Sequence, residues 1–329
     1  MTRVLIYEPA YRRIADRLAD LGGLQVLVMR EDGVVSLDGA PVSADEAAPE
    51  VGWTGADLFG DAPLRAYMTA LLKSGALKWV QSGAAGFDHP VFGQIVAKGA
   101  RLTTNHSQAV GMSEYVLAAV LDHFQRGPER RAAQGQRLWA RLNFREVAGS
   151  RWLIIGFGAI GQAVGLKARA FGAHVTGVRR AAGDHPAADA MAAPGEVLRL
   201  LGASDVVVLS LPLSAQTAGM VDAPFLAAMK PGSVLVNVGR GGLVDEAALL
   251  AALDAGKPEH AVLDVFHTEP LPVDSRFWDH PRVALTGHAS AMGSGLSARG
   301  DALFIDNLRR YLAGEPLLNE ARPEEVLAG

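Results

Sequence analysis

The sequence predicts an α/β protein of two domains, each a doubly wound parallel sheet with helices on both faces. Three observations predict it. The chain has 329 residues, a length that suits about two domains of roughly 100–200 residues each. Short, continuously apolar runs alternate with helical segments, the pattern of parallel strands covered on both faces. One of those runs, RWLII, opens directly into a glycine-rich turn, GFGAIG at 156–161.

In the first part of the chain, VLIYE (4–8), LQVLVM (24–29), LKWVQS (77–82) and RLTT (101–104) read as strands, and PVFGQIVAKG (90–99) as a helix. Residues 31–60 are rich in Gly, Ala, Asp and Pro and show no clear period. HSQAVGMSEYVLAAVLDHF (106–124) reads as a long helix, and RGPERRAAQGQRLWARLNF (126–144) as a polar, irregular segment.

A second series starts at Arg151. Its strands are RWLII (151–155), HVTGV (174–178), DVVVLSL (205–211), SVLVNV (233–238), HAVLDV (260–265) and RVALT (282–286). Helical segments such as LKARAF (166–171) and EAALLAALDAG (246–256) fall between them. Six strands with short crossovers match a nucleotide-binding domain. The helix SARGDALFIDNLRRYLAG (297–314) follows that sheet and is expected to return to the first domain.

Composition narrows the chemistry. The formal charge of −4 favours neither nucleic acid nor an anionic membrane as a partner. With no cysteine, disulfides, thiolate metal sites and a cysteine nucleophile are excluded. No His/Asp/Glu spacing suits a metal. The start, MTRVLIYEPA, lacks the pattern of a signal peptide, and no apolar run reaches the roughly 20 residues of a membrane span. A cytoplasmic location is the expectation.

In the motif Gly156-Phe157-Gly158-Ala159-Ile160-Gly161, the first glycine permits a tight turn. The second lets a pyrophosphate approach the backbone, and the third lets helix and strand pack closely. The helix N-terminus supplies N–H groups and positive dipole for phosphates. Arg179 lies 18 residues after Gly161, close to the usual place of the ribose-binding residue. An acid there would bond the 2′-hydroxyl of NAD. Arg179 instead presents a planar donor fork suited to a 2′-phosphate, and Arg180 adds a second cation. The competing reading is a solvated basic loop; the pair is read as selecting NADP(H), with NAD(H) possible.

Three more stretches carry a resemblance: NVGRGGLVDEAAL (237–249), LDVFHTEPLP (263–272) and LTGHASAMG (285–293). With GFGAIG, they resemble the D-isomer-specific 2-hydroxyacid dehydrogenase family in order and spacing across residues 105–293. QSGAAGFDH (81–89) is similar to the family's substrate-carboxylate loop. The resemblance implies a Rossmann nucleotide-binding domain (105–293) and a flavodoxin-like, discontinuous substrate domain (1–104 and 294–329). Ligands would bind in the cleft between them. It implies Arg240, Glu269 and His288 as the catalytic group, Asp264 as a contact to the nicotinamide amide, and Leu211, Pro212 and Val238 as the lining of its ring. Ala85 and Gly86 would offer backbone N–H groups to the substrate carboxylate. Trp139 resembles a tryptophan that glyoxylate/hydroxypyruvate reductases place near the partner subunit's active site, in a region that builds a homodimer. Gly287 departs from the proline common before the histidine.

The chemistry is coherent on its own terms. Reducing a 2-keto acid needs a hydride donor, a proton donor and a cation for the carboxylate. A histidine at 288 suits the proton transfer, Glu269 can orient the ring and favour its charged form, and Arg240 can grip a carboxylate and polarise a carbonyl oxygen. The expected function is NADP(H)-preferring interconversion of a small 2-keto acid, glyoxylate or hydroxypyruvate, and the D-2-hydroxy acid. The alternatives are an NAD-dependent dehydrogenase of the phosphoglycerate or sugar-acid type, and a dinucleotide-sensing protein without catalysis.

Overall fold

A computed structural model describes residues 1–58, 63–87, 89–180 and 183–327. Asp88 of the QSGAAGFDH stretch and part of the 31–60 stretch lie outside the described residues. The chain divides into two units, Met1–Gln108 with Ser294–Gly329, and Ala109–Gly293.

The first unit begins β1 (Thr2–Tyr7), α1 (Glu8–Ala19), β2 (Leu24–Met29), β3 (Val35–Leu37), β4 (Ala40–Pro41), α2 (Ala44–Ala47) and β5 (Val51–Thr54). It continues through α3 (Leu64–Lys73), β6 (Trp79–Ser82), α4 (Pro90–Ala97) and β7 (Arg101–Thr103). The sheet order is β4-β3-β2-β1-β5-β6-β7. Five of its strands, β2-β1-β5-β6-β7, are parallel in the flavodoxin-like order, two-one-three-four-five. The β3–β4 hairpin adds an antiparallel edge. Glu8 is not the end of a strand but the first residue of α1, where Pro9 fits because the first helical turn has no N–H partner to lose.

The helix Leu296–Ala313 belongs to this unit, and its attachment has a polar and an aromatic part. Asp301 is buried, accepts Trp53 Nε1 at 3.1 Å and pairs with Arg13 Nε at 2.6 Å. Phe304 stacks on Trp53 at 5.3 Å between centroids.

The second unit comprises α5 (Gln108–Phe124), α6 (Gly127–Gly135), β8 (Arg151–Ile155), α7 (Ala159–Ala170), β9 (His174–Val178), β10 (Ala190–Ala192) and α8 (Val197–Leu201). It goes on with β11 (Val206–Leu209), α9 (Ala223–Ala228), β12 (Val234–Asn237), α10 (Glu246–Asp254), β13 (His260–Leu263) and β14 (Val283–Leu285). The order β10-β9-β8-β11-β12-β13-β14 is parallel throughout. It is the Rossmann order with a seventh strand, and its direction reverses between β8 and β11, where such sheets bind ligands. Residues 126–144 are not irregular throughout: a polar helix, α6, occupies 127–135 with none of its residues buried.

At the other end of this sheet, His260 stacks on His123 with centroids 4.2 Å apart. Burial, then repulsion from His123, lowers the His260 pKa to about 4, while Asp122 and Glu129 oppose the shift weakly. Because the unfolded ring titrates near 6.5, the stability held by the neutral ring is complete above that pH. It is lost as pH falls toward 4. The wild type should therefore lose about 2 kcal/mol more than His260→Phe between pH 7 and 4.5, read as urea midpoints. Equal losses would refute this.

Candidate active site

Strand β8 delivers Gly156 into a turn with φ of +95°. A Cβ there would lie 2.5 Å from the Leu211 nitrogen, and one on Gly161 would lie 2.5 Å from the Gly156 oxygen. Both positions therefore demand glycine for close backbone packing. A Cβ on Gly158 would meet nothing within 4 Å. Gly158 caps the N-terminus of α7, so the open space lies over the helix end, where a pyrophosphate fits. Phe157 turns inward and is buried, while Ala159 and Ile160 begin α7 half-buried.

Arg179 follows β9 directly. Its Nη2 bonds the Gly183 oxygen at 3.2 Å, and its buried Nε has no hydrogen-bond partner among the described residues. An orphaned guanidinium N–H just after β9 fits a phosphate acceptor. Arg180 is exposed. Leu211 is half-buried and Pro212 exposed after β11. Val238 is buried, with its N–H on the Leu209 oxygen at 3.1 Å.

Three loops at the carboxyl ends of β12, β13 and β14 carry the proposed catalytic group. Asn237, ending β12, shapes the first: its amide donates to the Arg240 oxygen at 2.9 Å and its carbonyl accepts the Gly239 N–H at 3.0 Å. Arg240 Nη1 donates to the Gly239 oxygen at 2.8 Å. A Cβ on Gly241 would fall 1.9 Å from the Phe266 carbonyl carbon, so only glycine lets this loop lie against the second. There Glu269 takes the Phe266 N–H on Oε1 at 2.9 Å and His288 Nδ1 on Oε2 at 2.7 Å. The Glu269 and His288 side chains remain 36% and 50% exposed. With Nδ1 directed at the carboxylate, Nε2 is the nitrogen that can pass a proton.

His288 has φ of +52°, a left-handed conformation uncommon for a non-glycine residue. Asp264, only 1% exposed, holds it there. The Asp264 backbone oxygen accepts the His288 N–H at 2.7 Å, and Oδ1 accepts the Ala289 and Ser290 N–H groups at 2.8 and 3.0 Å. Ser290 Oγ lies 2.5 Å from Oδ2. The resemblance assigns Asp264 to the nicotinamide amide; in this structure its carboxylate is turned into the His288 loop.

Sequence reasoning missed Asn237, Gly241 and the second role of Asp264. An Asn three residues before a functional Arg was a usable signal, since Asn bonds nearby backbone. Nothing local marks the Gly241 approach. Trp139 is 93% exposed in the stretch after α6. Ala85 and Gly86 lie in the first unit, in a half-buried loop after β6. That loop is fastened by the Gly83 N–H on Thr54 Oγ1 at 3.3 Å and the Ala84 oxygen on the Asn105 N–H at 2.8 Å. Among the described residues no three His, Asp or Glu are grouped as metal ligands, and no helix is long and apolar enough to cross a membrane.

Residues 117–290 match the family described as D-isomer specific 2-hydroxyacid dehydrogenase, NAD binding domain. The chain belongs to this family. Glyoxylate/hydroxypyruvate reductase A of Salmonella typhi is 36% identical over 213 residues, 64% of this chain and 66% of that protein. The match thus spans just under two thirds of the reductase's length. Among solved structures, a family member from Xanthobacter autotrophicus Py2 in complex with NADPH and MES superposes with a TM-score of 0.78 at 28% identity, covering 99% of each chain. The NADPH-dependent glyoxylate/hydroxypyruvate reductase of Sinorhizobium meliloti, in complex with NADP and sulfate, has a TM-score of 0.74 at 27% identity, covering 99% of this chain and all of that one. These dehydrogenase folds share the two-sheet α/β architecture described above.

Proposed function

We propose that this protein is an NADP(H)-preferring reductase of a small 2-keto acid, with glyoxylate or hydroxypyruvate favoured, that forms the D-2-hydroxy acid where a stereocentre arises. The observation that carries the reading is the 2.7 Å contact from Glu269 to His288, made beside the Arg240 loop. Gly156, Gly158 and Gly161 would hold the pyrophosphate, Arg179 and Arg180 the 2′-phosphate, and Leu211, Pro212, Val238 and Asp264 would border the nicotinamide. A bound nicotinamide would supply the hydride. Arg240 grips the substrate carboxylate and draws charge onto the carbonyl oxygen; His288 gives that oxygen its proton; Glu269 fixes the ring and balances its charge. The same chemistry in Salmonella and Sinorhizobium reductases supports the substrate choice. The exposed Trp139 suits burial against a second copy, and we propose a homodimer.

The test is oxidation of NADPH and NADH with a panel of 2-keto acids. Steady NADPH turnover with glyoxylate or hydroxypyruvate is expected. Cofactor binding without turnover of any keto acid would favour a dinucleotide sensor.

The cofactor preference has its own test. Arg179→Asp with Arg180→Ala should change the NADPH/NADH ratio of kcat/KM by at least about tenfold in favour of NADH, since each lost charge-assisted bond is worth about 1.5–3 kcal/mol. An unchanged ratio would make the two arginines a solvated loop.

A further inference from the structure

The backbone of the His288 turn is held by side chains from outside the loop. A Cβ on Gly287 would meet nothing within 4 Å, so no packing limits the turn there. On the other side, Thr286 Oγ1 lies 2.6 Å from Asp264 Oδ1 and 2.8 Å from the Tyr115 hydroxyl. Thr286 has one proton to give. Asp264 Oδ1 already takes two backbone N–H groups, so it acts as an acceptor, and the Thr286 proton goes to it as the shorter contact. The Tyr115 hydroxyl must then donate to Thr286 Oγ1. The bonds converge on Asp264: Tyr115 donates to Thr286 and Thr286 to Oδ1, which also accepts the N–H groups of residues 289 and 290, while the Asp264 backbone oxygen accepts the His288 N–H.

We propose that Tyr115 is a positioning residue for His288, holding its left-handed turn through Thr286 and Asp264. Tyr115 stands on α5, whose neighbouring Met112 and Val116 are buried in the core of the second unit. The anchor is therefore a rigid helix, the kind of support that a reacting group needs. Burial raises the phenol's pKa and keeps it a donor over the working range. Tyr115 does not touch the reacting atoms in this scheme; it sets where Nε2 stands.

The proposal rests on His288 being the acid, so the test separates the two. Tyr115→Phe removes the donor and keeps the ring. It should lower kcat for keto-acid reduction about tenfold or more while KM and NADPH affinity stay within about twofold. Backbone amide exchange at Ala289 and Ser290, followed by NMR without substrate, should become faster. Thr286→Val should reproduce both effects, Thr286→Ser should restore both, and Tyr115→Phe added to Thr286→Val should cost nothing more. Unchanged kcat and unchanged exchange in Tyr115→Phe, or in Thr286→Val if the first variant does not fold, would overturn the proposal. If His288→Ala keeps its rate while Tyr115→Phe still speeds exchange, the acid assignment fails and the bracing stands.

Discussion

His288→Ala is expected to lower kcat/KM for keto-acid reduction by about 100- to 10,000-fold, the usual worth of a positioned proton donor. NADPH should still bind, because the glycine turn at 156–161 and Arg179 lie on other loops from His288. The geometry adds a sharper expectation. Glu269 is fixed by the Phe266 N–H at 2.9 Å and meets the His288 ring at 2.7 Å. The pair should behave as a unit, so Glu269→Ala and His288→Ala together should cost about as much as His288→Ala alone. The measurements are kcat/KM for wild type, both single variants and the double variant, with cofactor binding followed by fluorescence. Losses that simply add would break the unit, and a near-normal rate in His288→Ala would remove it as the acid.

Arg240→Ala should lower kcat/KM by roughly 100- to 1,000-fold, the scale of losing one preorganised charge-stabilising group. Carboxylate binding is used in ground and transition state alike, so KM should rise. Polarisation of the carbonyl is used only in the transition state, so kcat should fall as well. Lysine should rescue only part of the loss, because an ammonium lacks the two-pronged donor geometry. The loop should largely keep its shape, since Asn237 still bonds the backbone of 239 and 240 when the Arg240 bond to the Gly239 oxygen is lost. Wild-type kcat/KM in Arg240→Ala would end the assignment.

The sequence by itself determined what depends on neighbours in the chain. Strands 24–29, 151–155 and 174–178 were legible to the residue, because each is a short apolar run closed by a turn. GFGAIG was legible because its glycine spacing, directly after a strand and opening a helix, is written in adjacent residues, although the atoms that require glycine at 156 come from Ser210 and Leu211. Arg179 followed from its distance along the chain to that turn. Arg240, Glu269 and His288 were legible as candidates from ordered motifs.

Tertiary structure decided what depends on residues far apart in sequence. VGWT at 51–54 forms a central strand buried on both faces, yet it sits in a Gly- and Pro-rich stretch where four residues carry no usable period. Helix 296–313 was expected to return to the first unit, but the contacts that fasten it there, Asp301 with Trp53 and Arg13, are ones no local pattern reveals. Asp264 was read as a cofactor contact from its motif; that its carboxylate also collects donors from residues 286–290 is decided by packing. The physical reason is the same in each case. A hydrophobic period or a turn signal is written in adjacent residues, whereas a buried carboxylate takes whichever donors the fold brings within hydrogen-bond reach.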